Sequence, residues 1–113
     1  MASDRRTYVR QEVERFPNPG SLHLAPGVRG AFIGDVEAAI KTAAAGIGLP
    51  VSSARDLRLR LARQTFGREI HSFSSLSDAE LHGLHRWIRL GEAAISDLQD
   101  WLKANYGEQL PLI

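Results

Sequence analysis

The chain has 113 residues, a formal net charge of +1 and no cysteine. This length fits one domain, and the missing thiols exclude a disulfide framework, a thiolate metal site and a cysteine nucleophile. Hydrophobic residues make up 43% and charged residues 24% of the chain, a balance that argues against wholesale disorder. No targeting segment or membrane-length apolar run is visible, so we expect a cytoplasmic protein with no membrane partner.

Helical spacing of apolar residues predicts the first two helices. One stripe runs through residues 3–16 and ends before Pro17, because the residue that precedes a proline avoids the α-helical conformation. Residues 17–30 hold three of the five prolines and three of the ten glycines, so we predict a loop there. Helical spacing returns over residues 31–45, where many alanines would let another helix approach closely, and Pro50 marks the stop.

Two capping signals predict the next helices. Ser53, with an acidic residue three positions later, opens a helix that runs to Gly67. Residues 68–76 then form a predicted connector. Ser77 and Glu80 form a capping box, and apolar residues on either side add a hydrophobic staple, so three local rules agree on one helix start.

The last predicted helix is long. Its apolar residues recur at alternating steps of three and four, a heptad seam that puts Gly91 at a core position. Arg86 and Arg89 before Gly91 and Glu92 after it would also suit one helix that ends and another that begins. Because the spacing is unbroken and no capping residue follows Gly91, we predict that the helix continues through it. The predicted fold is all-α: a single domain over residues 1–113, built as a small bundle of about four helices with a long C-terminal helix, a loop at 17–30 and a tail at 108–113.

Candidate groups for catalysis and metal binding are few. His82 and His85 are three residues apart on one helix, so both rings could face one metal ion, with His71 or Glu80 as a further ligand. Solvated histidines are the better interpretation. The serines between residues 72 and 77 suit turns and helix caps, and none has the glycine-flanked context of a nucleophile. We therefore predict no enzyme activity, no metal and no cofactor.

Arginine supplies twelve of the fourteen basic residues. Seven of these arginines and four acidic residues fall between residues 55 and 89, which makes this interval locally +3. Clustered guanidinium groups fit DNA phosphates. Solvated helix faces have a similar composition, so that interpretation stays open. The residues predicted to contact phosphate are Arg55, Arg58, Arg63, Arg68, Arg86 and Arg89.

The stretch 57–88 carries a pattern of a helix, a serine-containing connector and a capped second helix. Its matching positions are Gly67, Ser72 or Ser74, Leu76, Ser77, Glu80 and Leu81. In this pattern the chain resembles the phage Mu GemA-like regulatory family, over 32 of its 113 residues. The resemblance implies a DNA-associated regulator of a phage or mobile element.

The segment 109–113 is similar to the short peptide by which bacterial DNA-metabolism proteins dock on the sliding clamp. That peptide has Gln, then Leu, a variable residue, Leu and an apolar end. The resemblance implies that Gln109, Leu110, Leu112 and Ile113 contact a partner, with the intervening proline keeping the peptide extended. A tail folded onto its own domain is the alternative.

Two functions follow as hypotheses. The first is a phage or mobile-element accessory or regulatory protein that binds DNA or a DNA-processing protein partner. The second is a protein–protein interaction subunit or inhibitor, helical and able to form a homodimer, with no nucleic-acid contact. In the second hypothesis Trp87 and Trp101 anchor the interface, as tryptophan often does.

Overall fold

The computed structural model describes residues 4–18, 21–51 and 53–106, which form five α-helices and one short 3-10 helix. The α-helices are α1 (Arg5–Glu14), α2 (Pro26–Gly46), α3 (Ala54–Phe66), α4 (Asp78–Ile88) and α5 (Glu92–Tyr106), and the 3-10 helix covers Phe73–Ser75. No strand occurs in these residues, so the predicted all-α class is confirmed. None of the described helices is both long and apolar enough to pass through a bilayer.

Local capping explains where α3 and α4 begin and where α3 ends. The Ser77 hydroxyl accepts a hydrogen bond from the Glu80 amide at 3.1 Å, and the Glu80 carboxylate accepts one from the Ser77 amide at 2.8 Å. Ser53 caps α3 by accepting from the Asp56 amide at 3.3 Å. Gly67 follows α3 with a φ of +67°, a left-handed conformation that glycine adopts without strain. The predicted starts and stop are confirmed.

α2 begins five residues before its predicted start. Pro26 stands in its first turn, where the missing N–H costs no helical hydrogen bond and the fixed φ suits a helix. The predicted loop at 17–30 is therefore shorter than expected. Within it, the Leu24 amide donates to Asp78 Oδ2 at 3.1 Å, which fastens the loop to the start of α4.

The predicted long C-terminal helix is broken at Gly91, so the prediction of continuity is wrong. α4 ends at Ile88 and α5 begins at Glu92, and Gly91 between them has a φ of +77°. A residue in this left-handed conformation ends a helix. The apolar seam survives the break, because Leu84 before it and Leu98 after it are both fully buried.

One hydrophobic core joins the five helices. α2 packs against α3, α4 and α5, while α1 packs against α4 and α3. The largest fully buried side chains belong to all five helices and to the segment between α3 and α4. They include Trp87, Phe73, Ile40, Leu61, Leu98 and Val9.

A buried arginine ties α1 to three other helices. Arg5 is 5% exposed and donates to Thr65 Oγ1 at 3.0 Å and Gln64 Oε1 at 2.8 Å, both on α3. It also pairs with Asp97 Oδ2 on α5 at 2.6 Å, and its guanidinium lies 5.4 Å from the ring centroid of Trp87 on α4. Burial lowers the pKa of Arg5, although the Asp97 carboxylate opposes that shift. These partners make a buried cation tolerable.

Candidate nucleic-acid interface

Residues 67–77 link α3 to α4, and we call them the connector. Their regular structure is a single 3-10 turn, which Ser72 caps by accepting from the Ser74 amide at 3.2 Å. The buried anchors of the connector are Ile70, Phe73 and Leu76. Because buried or half-buried backbone groups must be hydrogen-bonded, a segment with so little regular structure needs other donors for its carbonyls.

Arginine side chains are those donors. Four arginines, which we call the clamp arginines, donate hydrogen bonds of 2.8 to 3.3 Å to connector carbonyls. The bonds run from Arg63 to Ile70, from Arg55 to His71, from Arg29 to Phe73 and Leu76, and from Arg68 to Ser75. Arg29 therefore holds the connector to α2, Arg55 and Arg63 hold it to α3, and Arg68 joins two positions within the connector.

The clamp arginines differ in whether a carboxylate neutralises them. Arg29 pairs with Asp78, and Arg68 pairs with Glu80. Within the described residues, neither Arg55 nor Arg63 forms an ion pair with a carboxylate. A carbonyl accepts a hydrogen bond without cancelling the charge, and a guanidinium has five N–H donors. Arg55 and Arg63 therefore keep both their charge and further donors.

Two further positively charged side chains, from α1, lie beside the end of α3. A methyl group placed on Gly67 would lie 3.9 Å from Arg6 Nη2, so the Arg6 guanidinium borders the connector. Arg6 and Arg10 are exposed, one helical turn apart, and line a groove of about 180 Å³ beside Phe66. Neither forms an ion pair among the described residues. We call the four cations that keep their charge here the border arginines: Arg6, Arg10, Arg55 and Arg63.

Two carboxylates near the connector, Glu80 and Asp78, are held in the ionised form. Burial raises the pKa of Glu80, but hydrogen bonds from Arg68 and a backbone amide outweigh burial and lower the pKa overall. The same hydrogen bond raises the pKa of Arg68. The Leu24 amide and then the Arg29 guanidinium lower the pKa of Asp78. Glu80 and Asp78 are thus committed to Arg68 and Arg29 at neutral pH, and neither forms an ion pair with a border arginine.

The structure separates the six predicted phosphate contacts into two groups. Arg55, Arg63 and Arg68 meet at the connector, although Glu80 neutralises Arg68. The other three lie elsewhere or are neutralised: Arg58 bonds Glu37 at 2.6 Å and lies 4.7 Å from the Phe73 ring centroid, Arg86 bonds Glu12 at 2.8 Å, and Arg89 is the exposed C-cap of α4.

Sequence reasoning missed the two arginines of α1. Arg6 and Arg10 stand outside the interval 55–89 in which the charge was counted. Their spacing of four residues, within a segment already predicted to be helical, was the available signal, because residues i and i+4 share a helix face.

The two histidines of α4 are more buried than predicted. His85 is 8% exposed, its ring is stacked on Phe32 with centroids 3.7 Å apart, and its Nε2 lies 2.8 Å from Asp35 Oδ2. His82 is half-buried with its ring edge-on to Phe16, and burial lowers its pKa. The prediction of solvated histidines is wrong, because α1 and α2 cover this side of α4. Among the described residues, no group of three or more side chains could hold a metal ion.

The predicted partner-binding residues fall into two cases. Trp87 is 2% exposed and Trp101 is 7% exposed, so both lie in the core of the protein itself. This corrects the prediction that they anchor an interface, because a residue packed inside its own domain has no surface to offer. The peptide predicted to bind a sliding clamp lies outside the described residues. Its predicted contact residues are Gln109, Leu110, Leu112 and Ile113.

The comparisons with known proteins identify no relative of this chain. The chain matches no protein-family model, and no significant match was found among curated proteins or solved structures. The resemblance to the phage Mu GemA-like family over residues 57–88 therefore stays a prediction.

Proposed function

We propose that this chain is an accessory protein that binds duplex DNA through the border arginines, which contact phosphate groups. One observation carries the proposal: Arg6, Arg55 and Arg63 border the connector, Arg10 lies beside the adjoining end of α3, and none of the four has a carboxylate partner among the described residues. Phosphate binding needs positive charge that is not already neutralised and donors that can reach the ligand. Arg6 and Arg10 are exposed on α1, and Arg55 is exposed on α3.

The connector contributes rigidity to this proposed interface. Because the clamp bonds hold it against α2 and α3, Arg55 and Arg63 are already oriented before DNA arrives. A preorganised side chain loses less conformational entropy on binding than a free one. Contacts to phosphate carry no sequence information directly, so the proposed activity is binding with weak sequence preference.

The salt dependence of binding tests the proposal. Four phosphate contacts predict a slope of log K against log salt of about −3.6, which lowers affinity by roughly a hundredfold between 50 and 200 mM salt. The measurement is fluorescence anisotropy of a labelled duplex titrated with protein at four salt concentrations. The variant Arg6→Gln/Arg10→Gln removes two exposed charges and is expected to reduce the slope to about −1.8.

A matched control separates the effect of these two positions from the effect of a lower net charge. Lys41→Gln/Lys103→Gln also removes two exposed cations, from α2 and α5, which do not border the connector. Its slope is expected to equal that of the wild type. No binding at 50 mM salt refutes the proposal, and so does an equal loss of slope in both double variants.

The second part of the DNA-related hypothesis concerns a protein partner. If the segment 109–113 docks on a sliding clamp, its deletion is expected to abolish binding to an immobilised bacterial clamp while DNA affinity is unchanged. If the shortened protein still binds the sliding clamp, docking through residues 109–113 is refuted, while the DNA-binding proposal is unaffected.

A further inference from the structure

The groove beside Phe66, which we call the Phe66 groove, lies between α1, α3 and α4. Its apolar lining comes from Val9, Val13 and Phe66. Glu80 of α4 adds a carboxylate, and the volume is about 180 Å³. Since a cavity of about 150 Å³ holds one benzene ring, the Phe66 groove is large enough for a single aromatic ring and too small for two.

The charges around the Phe66 groove favour an anionic ligand. Arg6 and Arg10 line it from α1, about 6 Å apart along the helix axis. Neither of them has a carboxylate partner among the described residues, whereas Glu80 is neutralised by Arg68. Two uncompensated positive charges therefore lie beside an apolar lining, an arrangement that fits a ligand in which an anionic group is joined to an aromatic ring.

Glu80 also supplies a hydrogen-bond acceptor. Its Oε1 accepts from the Ser77 amide and from Arg68 Nη2, both at 2.8 Å. Among the residues that the structure describes, its Oε2 accepts only from Arg68 Nη1. Because each carboxylate oxygen can accept two hydrogen bonds, Oε2 can accept one more. The amino group of cytosine is a donor that carboxylates bind, so a ring with such a donor fits better than a hydrocarbon ring.

A nucleotide whose base is unpaired combines these features. Its phosphate would bind Arg6 and Arg10, its base would enter the Phe66 groove, and an amino group of the base would donate to Glu80. A base inside a duplex must first leave its stack and its pairing partner, and that step costs free energy, whereas an unpaired base is spared most of this cost. Arg55 and Arg63 remain for the phosphates of the adjoining duplex.

We propose that the Phe66 groove holds the base of an unpaired nucleotide in a single-stranded overhang of a DNA duplex, with the phosphate of that nucleotide on Arg6 and Arg10. This inference rests on the proposed DNA binding and adds to it a preference for DNA that carries an overhang. Contacts to phosphate alone would give equal affinity for overhangs with the same number of phosphates. A base in the groove makes the affinity depend on the base as well.

Fluorescence anisotropy with three labelled DNAs of equal duplex length tests this inference. One has flush ends, one has a strand extended at both ends by a few cytosine nucleotides, and one has the same extensions without bases. The two extended DNAs carry the same phosphates, so a difference in affinity comes from the bases. The wild type is expected to bind the cytosine extensions about tenfold tighter than the abasic ones, the effect of one stacked base.

The flush duplex distinguishes the two proposals. If the wild type binds the flush duplex but binds both extended DNAs with equal affinity, the inference is overturned and the proposed function stands. If the wild type does not bind the flush duplex, the proposed function itself is refuted.

A variant that fills the Phe66 groove tests where the base binds. Val13→Phe places a ring of the protein itself in the groove and is expected to abolish the difference between cytosine and abasic extensions. Because this difference compares two DNAs on the same protein, a loss of folded protein does not imitate it. The control Val51→Phe makes the same change at a half-buried valine that lines a different cavity and is expected to keep the difference. An undiminished difference in Val13→Phe, or its loss in Val51→Phe, overturns the placement of the base in this groove.

Discussion

The substitution Gly91→Ala separates a broken C-terminal helix from a continuous one by the sign of its effect. In the structure Gly91 has a φ of +77°, and a methyl group on it would meet no atom within 4 Å. Packing therefore contributes nothing, and the effect is that of the backbone alone. An L-residue in this left-handed conformation costs roughly 1 to 2 kcal/mol. In a continuous helix, the same change would stabilise the protein by about 0.5 to 1 kcal/mol.

Thermal unfolding followed by circular dichroism measures this difference. For a domain of this size, 1 kcal/mol shifts the melting temperature by about 4 °C or more, so Gly91→Ala is expected to lower it by several degrees. The control is Gly30→Ala, which lies inside α2 with no atom within 4 Å of the added methyl and is expected to raise the melting temperature. A higher melting temperature for Gly91→Ala would refute the broken helix.

Three further predictions concern the buried and clamped charges. A double-mutant cycle of Arg5→Met and Asp97→Ala is measured by urea unfolding. We expect each single change to lower the free energy of unfolding by about 2 to 4 kcal/mol and the two changes to show a coupling energy of about 1 to 3 kcal/mol. A coupling energy near zero contradicts the ion pair of the buried Arg5 with the half-buried Asp97. Arg29→Lys is expected to lower the free energy of unfolding by about 1 to 2 kcal/mol, because a single ammonium group replaces a guanidinium that bonds two carbonyls and a carboxylate. An unchanged free energy in urea unfolding would contradict the stabilising role of the Arg29 hydrogen bonds. Since the folded pKa of Asp78 is lowered, its stabilisation is complete above its unfolded-state pKa of about 3.9 and is lost as pH falls through the folded value. The stability difference between the wild type and Asp78→Asn is therefore expected to shrink between pH 5 and pH 2, and a constant difference would contradict the assignment.

Local signals predicted the start of α4 and the end of α3. The capping box at Ser77 and the glycine stop at Gly67 need only their immediate neighbours, and both are present in the structure. The start of α2 at Pro26 was missed because a proline among other prolines and glycines was interpreted as part of a loop. The break at Gly91 was missed because the apolar seam keeps its spacing on both sides of it.

The candidate site was only partly predictable for a different reason. The concentration of arginine near the connector is visible in the sequence, but the acceptors are backbone carbonyls, which every residue has. No pattern of side chains tells whether Arg63 meets a carbonyl, a carboxylate or solvent. The partners of Arg58 and Arg86 come from α2 and α1, so only the packing of the helices reveals that their charges are neutralised.

The clamp bonds also bear on how freely the connector can change. Because the clamp arginines bind main-chain oxygens, their bonds do not depend on which side chains the exposed positions of the connector carry. His71 and Ser74 are exposed and can be exchanged for a label, an epitope or a different recognition surface while the clamp bonds remain. Sequence variation is therefore expected to be tolerated at these two positions, and selection is expected to act on the arginines that hold them in place.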